Sequence, residues 1–286
     1  NWANLQEQEG QPLVNHAGAE TLPPGSIFKI ITTAAGLNNG FDPSSTLTGS
    51  NVITLPDTVT ELTNYANQKC NGQDAVTLQT AFALSCNTAF VEMSEQIGAD
   101  ELRKYAKAFG VGENYDLGVS TSAGTLGDLP DGAATAQSAI GQRDVTMTAL
   151  QAAVMAGTVA NKGTRMQPYL VNRITDAQMK DIRTTKPKKA DQAVNEETAA
   201  TLTDLMYASE RSSAGYDGNG FASKTGTAEH GEGLAPHVWY VAFDPERDIA
   251  VGVVVKNGGN LGESATGGKV SGPIGRAILR AYQGEQ

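Results

Sequence analysis

The 286-residue chain predicts an α/β protein of the α+β type, with an antiparallel sheet flanked by helices and an all-helical insert. Two observations lead there. Apolar residues recur at helical spacing through the middle of the chain, whereas the last third shortens to runs that read as strands. A turn, Asp244-Pro-Glu-Arg-Asp248, then joins the last two of those runs as a hairpin. With no internal repeat or low-complexity linker, residues 1–286 read as one domain. Its helical subdomain covers about 41–145 and its sheet strands about 221–256.

The elements follow in order. Pro23-Pro-Gly-Ser26 ends a loop, and an apolar run of helical length continues to Asn38-Asn39-Gly40, which places Ser26 at or beside a helix N-terminus. Helical spacing returns over Thr77–Leu84, Thr88–Ile97, Asp100–Phe109, Thr146–Ala160 and Asn195–Glu210, with Gly, Asn or Asp in the breaks. Phe221–Glu229, Val238–Phe243 and Ile249–Lys256 read as strands. Ile249 to Val255 is apolar throughout, so that strand should be covered on both faces. A helix over Val270–Tyr282 closes the chain.

Composition excludes several classes. Hydrophobic residues make up 40% and charged residues 18%, ordinary for a globular enzyme. The net charge of −10 repels phosphate backbones and anionic lipid, which argues against nucleic acid as a partner. No stretch approaches the roughly 18–20 apolar residues of a membrane span. The polar, acidic Asn1–Gly10 is not a signal peptide, and Lys186–Lys189 reads as a solvated loop between helices. His230 and His237 lie near Glu229, but no HExxH or CxxC spacing supports a metal, and none is expected. Gly262–Lys269 resembles a phosphate loop with its glycine out of register and Val270 where Ser or Thr is required. No cofactor is expected, and the Gly-x-Ser-x-Gly of a Ser-His-Asp hydrolase is absent.

Three short motifs carry the chemistry: Ser26-Ile-Phe-Lys29, Ser85-Cys-Asn87 and Lys224-Thr225-Gly226-Thr227. Each is weak alone, since Ser26 or Ser85 could be a helix cap and Lys29 a solvated helical residue. Together they fall, in order, at a helix start, in a break between helices and on a strand. Ser26 and Lys29, three apart on a helix, share a face. A serine hydroxyl needs a neighbouring base, and lysine serves only if burial or nearby positive charge lowers its pKa. Lys224 could supply that charge. A helix N-terminus offers N–H groups where an oxyanion would form. Ser85 can relay a proton and the Asn87 amide can hold a carbonyl. Lys224, Thr225 and Thr227 offer a cation and hydroxyls to a carboxylate, and Gly226 lets substrate backbone lie against the strand. The set describes acyl transfer from a peptide with a free C-terminus.

These motifs resemble those of the transpeptidase domain of class B (monofunctional) penicillin-binding proteins. The likeness extends to Pro23-Pro-Gly-Ser-Ile-Phe-Lys29, Ser85-Cys-Asn-Thr-Ala-Phe90, Ile140-Gly-Gln142 with Leu150-Gln151, and Ser223-Lys-Thr-Gly-Thr-Ala228. It implies the serine penicillin-recognising fold, with the S-x-N motif in the helical subdomain. It makes Ser26 the acylated nucleophile, Lys29 its base, and the Ser26 and Thr227 N–H groups the oxyanion hole. The implied substrate is a peptidoglycan stem peptide ending in D-Ala-D-Ala, with β-lactams as covalent inhibitors and partner proteins of cell-wall synthesis. The implied place is the outer face of the bacterial cytoplasmic membrane, through a single N-terminal anchor that, with the pedestal domain, is expected to lie outside these residues.

Three alternatives stay open. A serine β-lactamase is the nearest, although no Glu-x-x-Leu-Asn lies between Asn87 and Lys224 and no Tyr-Gly-Asn replaces the second motif. A D,D-carboxypeptidase differs only in its water acceptor, and a β-lactam sensor is acylated without turnover. The resemblance carries two further expectations. Its oxidising location makes a Cys70–Cys86 disulfide the expected state of the two cysteines. Its five-stranded sheet exceeds the three strands found here, so upstream residues on another peptide should pair with Ile249–Lys256, whose bare apolar edge would otherwise template aggregation.

Overall fold

A computed structural model describes residues 2–231 and 233–284. The chain begins with two short helices, α1 (Trp2–Glu7) and α2 (His16–Ala19). A 3-10 turn, Gly25–Phe28, runs directly into α3 (Lys29–Leu37), in which Lys29 to Gly36 are all buried. A helix buried all round has no polar face, which is why Ile30-Ile-Thr-Thr-Ala-Ala35 looks uniform in sequence. Ser26 therefore lies in a 3-10 turn preceding the helix, one turn earlier than a helical start would put it.

Four three-residue strands follow: β1 (Thr46–Thr48), β2 (Val52–Thr54), β3 (Glu61–Thr63) and β4 (Ala75–Thr77). β1 pairs with β4 and β2 with β3, both antiparallel. The subdomain over 41–145 is thus mainly helical and not all-helical, because strands this short show no alternation to read. Thr77 caps α4 (Leu78–Leu84) by accepting the Thr80 N–H at 3.2 Å. α5 (Asn87–Ala108) joins the two helices expected at Thr88–Ile97 and Asp100–Phe109, with Gly98 (φ 75°, ψ 172°) as the break between them. α6 (Gly132–Ala139) and α7 (Ala149–Ala160) complete this part, the latter begun by a capping box of Thr148 and Gln151.

Next comes an unforeseen two-stranded arm built from β5 (Thr164–Met166), β6 (Arg173–Thr175), β7 (Asp181–Thr184) and β8 (Lys189–Gln192). β5 pairs with β8 and β6 with β7, and the Gln167 N–H to Lys188 carbonyl bond (2.8 Å) ties the two ladders together. The Lys186–Lys189 cluster is solvated, as expected, but it lies in the connection between β7 and β8, with only Lys189 in a strand, and not between helices. Both faces of β7 and β8 are exposed, so no apolar alternation marks them.

After α8 (Glu196–Ser212), capped by Asn195, come the sheet strands β9 (Ala222–Ala228), β10 (His237–Asp244) and β11 (Ile249–Val255), then α9 (Ser271–Gly284). The order is β11-β10-β9, all antiparallel. The central strand β10 is buried from end to end. Helices α7 and α9 both pack on β11, as its apolar sequence requires. Among the described residues no strand pairs with its outer edge; the N-terminal residues reach that region through a Lys256–Glu20 ion pair of 2.8 Å.

The core joins α3, α4 and α5 to the sheet through Phe28, Phe82, Phe90 and Trp239. Each is fully buried, worth roughly 1.5–3 kcal/mol per side chain. The Trp239 indole N–H donates to the Pro23 carbonyl at 2.8 Å, so the segment leading to Ser26 is fastened to the central strand.

Candidate active site

Ser26 occupies the second position of the Gly25–Phe28 turn, partly exposed between buried Gly25 and Ile27. Gly25 is required there on two counts. Its φ is +54°, and a Cβ would sit 2.7 Å from the Thr227 carbonyl oxygen. The Gly25 N–H donates to the Gly141 carbonyl (2.9 Å), so the Ile140-Gly-Gln142 segment also braces the turn. On the sheet side, a Cβ on Gly226 would lie 2.8 Å from the Pro24 carbonyl oxygen. The first and third motifs therefore meet backbone to backbone, an approach only glycine permits.

Lys29 opens α3 and is fully buried. Its Nζ donates to the Ser85 carbonyl (2.7 Å), the Ser85 Oγ (3.3 Å) and the Asn87 Oδ1 (2.8 Å), and lies 5.1 Å from the centre of the Phe90 ring. All three bonds go to the second motif and none to Ser26. The Asn87 Nδ2 in turn donates to the Thr63 carbonyl (3.1 Å), leaving one amide N–H for another acceptor.

Ser85 ends α4 in the left-handed region (φ 61°, ψ 40°). For a residue with a Cβ this costs roughly 1–2 kcal/mol. The strain is offset by its neighbours: the Ser85 N–H donates to Phe82 (3.2 Å), the Cys86 N–H to Ala81 (2.9 Å), and the Lys29 ammonium holds the Ser85 carbonyl. Cys86 is joined by a disulfide to Cys70, with Cα atoms 5.7 Å apart. The second motif is pinned on both sides.

Lys224, on edge strand β9, is also fully buried, 5.7 Å above the Phe82 ring centre, and donates to the Thr225 carbonyl (3.1 Å). Burial pushes its pKa down to about 7. Lys29 is held well below the ordinary lysine value, first by burial and then by repulsion from Lys224. Among the described residues neither lysine is bonded to a carboxylate. An ammonium at Lys29 uses three donors, matching its three contacts. As a neutral amine it could keep donating to the two pure acceptors, the Ser85 carbonyl and Asn87 Oδ1, and turn its lone pair toward a hydroxyl. The site can thus accept a proton from a serine without losing its scaffold. Thr225 and Thr227 lie part-exposed along the open edge of β9.

All eight motif residues converge here: Ser26, Lys29, Ser85, Asn87 and Lys224 to Thr227. Sequence reasoning missed Phe82 and Phe90, which wall the two amines off from water, and the Thr63 carbonyl that orients Asn87. Their helical spacing marks the two phenylalanines as core residues, but nothing local marks Thr63.

The geometry agrees with what comparison finds. The model of the penicillin-binding protein transpeptidase domain matches residues 2–280. The chain is 45% identical over 98% of its length to the peptidoglycan D,D-transpeptidase PbpA of Mycolicibacterium smegmatis, and 42% identical over 99% to that of Mycobacterium tuberculosis. It spans about 60% of the length of these curated relatives (59% and 60%). Among solved structures it superposes on penicillin-binding protein A from M. tuberculosis as a ceftriaxone acyl-enzyme complex with a TM-score of 0.93 at 42% identity. That match covers 98% of this chain and 65% of the other. The penicillin G acyl-enzyme complex of the same protein gives 0.93 at 42%, over 99% and 66%. The chain therefore belongs to the transpeptidase domain family of the class B penicillin-binding proteins.

Proposed function

We propose that this chain is the catalytic domain of a serine D,D-transpeptidase that cross-links peptidoglycan stem peptides ending in D-Ala-D-Ala through an acyl-enzyme on Ser26. The observation that carries this reading is a fully buried, charge-depressed Lys29 whose hydrogen bonds lock it to Ser85 and Asn87 one turn from Ser26. The acyl-enzyme complexes of the M. tuberculosis relative support it. Lys29 takes the Ser26 proton as the hydroxyl attacks the penultimate carbonyl. The N–H groups of Ser26 and Thr227 stabilise the oxyanion. Ser85 passes the proton to the departing D-alanine amine, and the acceptor amine of a second stem peptide reverses the sequence to form the cross-link. Asn87 holds a substrate amide, while Lys224, Thr225 and Thr227 grip the terminal carboxylate and Gly226 gives it room. Such work is extracytoplasmic, at the membrane face where cell-wall partners assemble. No helix among the described residues is long and apolar enough to cross a membrane.

Intact mass after incubation with penicillin G tests this directly. One adduct per chain is expected, mapping to Ser26 and vanishing in Ser26→Ala. An adduct retained in that variant would sink the assignment. Rapid release of hydrolysed β-lactam would indicate a β-lactamase, hydrolysis of donor peptide without cross-linking a carboxypeptidase, and a single burst with no thioester turnover a sensor.

Lys224→Ala should weaken reaction with β-lactams that bear the carboxylate by about 10–100-fold, the worth of one charge-assisted hydrogen bond. Carboxylate-free analogues should lose much less. Equal losses in paired acylation rates would remove Lys224 from carboxylate recognition.

A further inference from the structure

We propose that Glu210, outside all three motifs, is a positioning residue for the reaction. It locks β9 from behind and so holds Lys224 and the Thr227 backbone against Ser26. The inference rests on the acyl-transfer reading above.

β9 is an edge strand: β10 pairs with it on one side, and the other side faces the cleft. An edge strand that must stay open to substrate cannot be steadied by a second neighbour, so its placement needs a tether outside the ladder. Ser223 and Lys224 are consecutive, and their side chains point to opposite faces. Lys224 enters the cleft over Phe82, while Ser223 enters a buried polar cluster behind the sheet.

Glu210, in the last turn of α8, is the centre of that cluster and is fully buried. Its Oε2 accepts from the Ser223 hydroxyl and from the Tyr240 hydroxyl at 3.0 Å. Its Oε1 accepts from the Arg276 Nε at 2.6 Å and the Asn219 Nδ2 at 2.9 Å. Arg276 also donates from Nη1 to the Ala214 carbonyl (3.0 Å) and from Nη2 to the Ser213 hydroxyl. One carboxylate thus joins α8, β9, β10 and α9 with its four acceptor positions filled. Burial by itself would raise the Glu210 pKa, but the bonds from Arg276, Ser223 and Asn219 prevail and hold it below the usual value. The cluster therefore stays charged at working pH.

A buried ion pair is poor evidence of stability, since well-packed apolar residues of like volume often serve as well. What apolar packing does not supply is a fixed register for one hydroxyl. In front, the approach of Gly226 to Pro24 and of Gly25 to Thr227 leaves no slack. A shift of β9 by a fraction of an ångström would move the carboxylate grip and the oxyanion donor together.

Two variants test this. Glu210→Gln keeps the shape but faces its amide N–H groups toward donors. Ser223→Ala cuts only the link to β9 and leaves the Glu210–Arg276 pair in place. Each should acylate with penicillin G about 10–100-fold more slowly than the parent, the cost of misplacing reacting groups by up to an ångström. Each should also displace the pH limb of acylation, because moving Lys224 changes its repulsion of Lys29. Melting curves identify the folded fraction to which rates are referred; if Glu210→Gln does not fold, Ser223→Ala decides. Parental rates and an unmoved pH limb in the folded variant, whatever its melting temperature, would reduce the cluster to fold support and overturn the proposal. Acylation of the parent itself tests the functional reading, so failure there shows before any variant is compared.

Discussion

Lys29→Ala should still fold but acylate on the order of 10²–10⁴ times more slowly, the usual range for a lost general base. The sign of the pH dependence follows from the cause of the shift. Burial and the neighbouring Lys224 disfavour the ammonium, so the native pKa falls well below the ordinary lysine value. The neutral amine is the form that can take the Ser26 proton. The parental rate should therefore rise with pH along a limb well below the ordinary lysine range and level off above that limb. In Lys29→Ala that limb should disappear with the rate. Stopped-flow acylation across pH, beside a melting curve for each protein, checks both parts. A folded Lys29→Ala that reacts at nearly the parental rate, or keeps the limb, would remove Lys29 from the mechanism.

The two lysines are coupled, so the limb belongs to the pair and not to either side chain alone. On the proposed reading this coupling acts in catalysis. A substrate carboxylate arriving at Lys224 favours its ammonium form, raising a pKa that stands at about 7 without substrate. A more fully charged Lys224 repels a proton on Lys29 more strongly, so binding the correct terminus readies the base. A ligand without a carboxylate would forgo that step, which makes the Lys224→Ala comparison a kinetic test as well as an affinity test.

The parts of the site legible in the sequence are those set by local chemistry. The Pro-Pro-Gly before Ser26 announces a loop giving way to a helix, and the apolar run over Ile249–Val255 announces a covered strand. The asparagines and glycine at 38–40 stop α3 where expected. What escaped depends on distant residues. Ser85 has no glycine to advertise its left-handed backbone; Lys29, 56 residues away, helps to hold it. Spacing suggests that Lys29 serves Ser26, yet its bonds run to Ser85 and Asn87, because the chain folds the α4–α5 break over the amine. Glu210 and Arg276 sit 66 residues apart, each looking like a solvated helical charge until both are found buried. The arm over β5–β8 escaped for the opposite reason. It buries so little that no hydrophobic period is imposed on it.

Loss of the Cys70–Cys86 disulfide should have the largest effect on stability. The bridge closes a loop of 16 residues, which in the chain-entropy account contributes roughly 3 kcal/mol by restricting the unfolded chain. For a chain of this size that corresponds to a fall in melting temperature of about 5 °C. The Cys70→Ser/Cys86→Ser protein should show it in a thermal melt, with the parent unchanged by mild reductant because both cysteines are buried. The effect should reach the chemistry. Cys70 sits in the turn before β4, its N–H donating to Gly49 at 2.8 Å, and Cys86 lies between Ser85 and Asn87. Freeing that tether leaves the strained Ser85 backbone to Lys29 and the α4 carbonyls alone. The double variant should therefore acylate several-fold more slowly than the parent at temperatures where both are folded. Thiol counting in denaturant without reductant gives the decisive reading. No alkylatable thiol is expected in the parent, and two would mean that the bridge does not form.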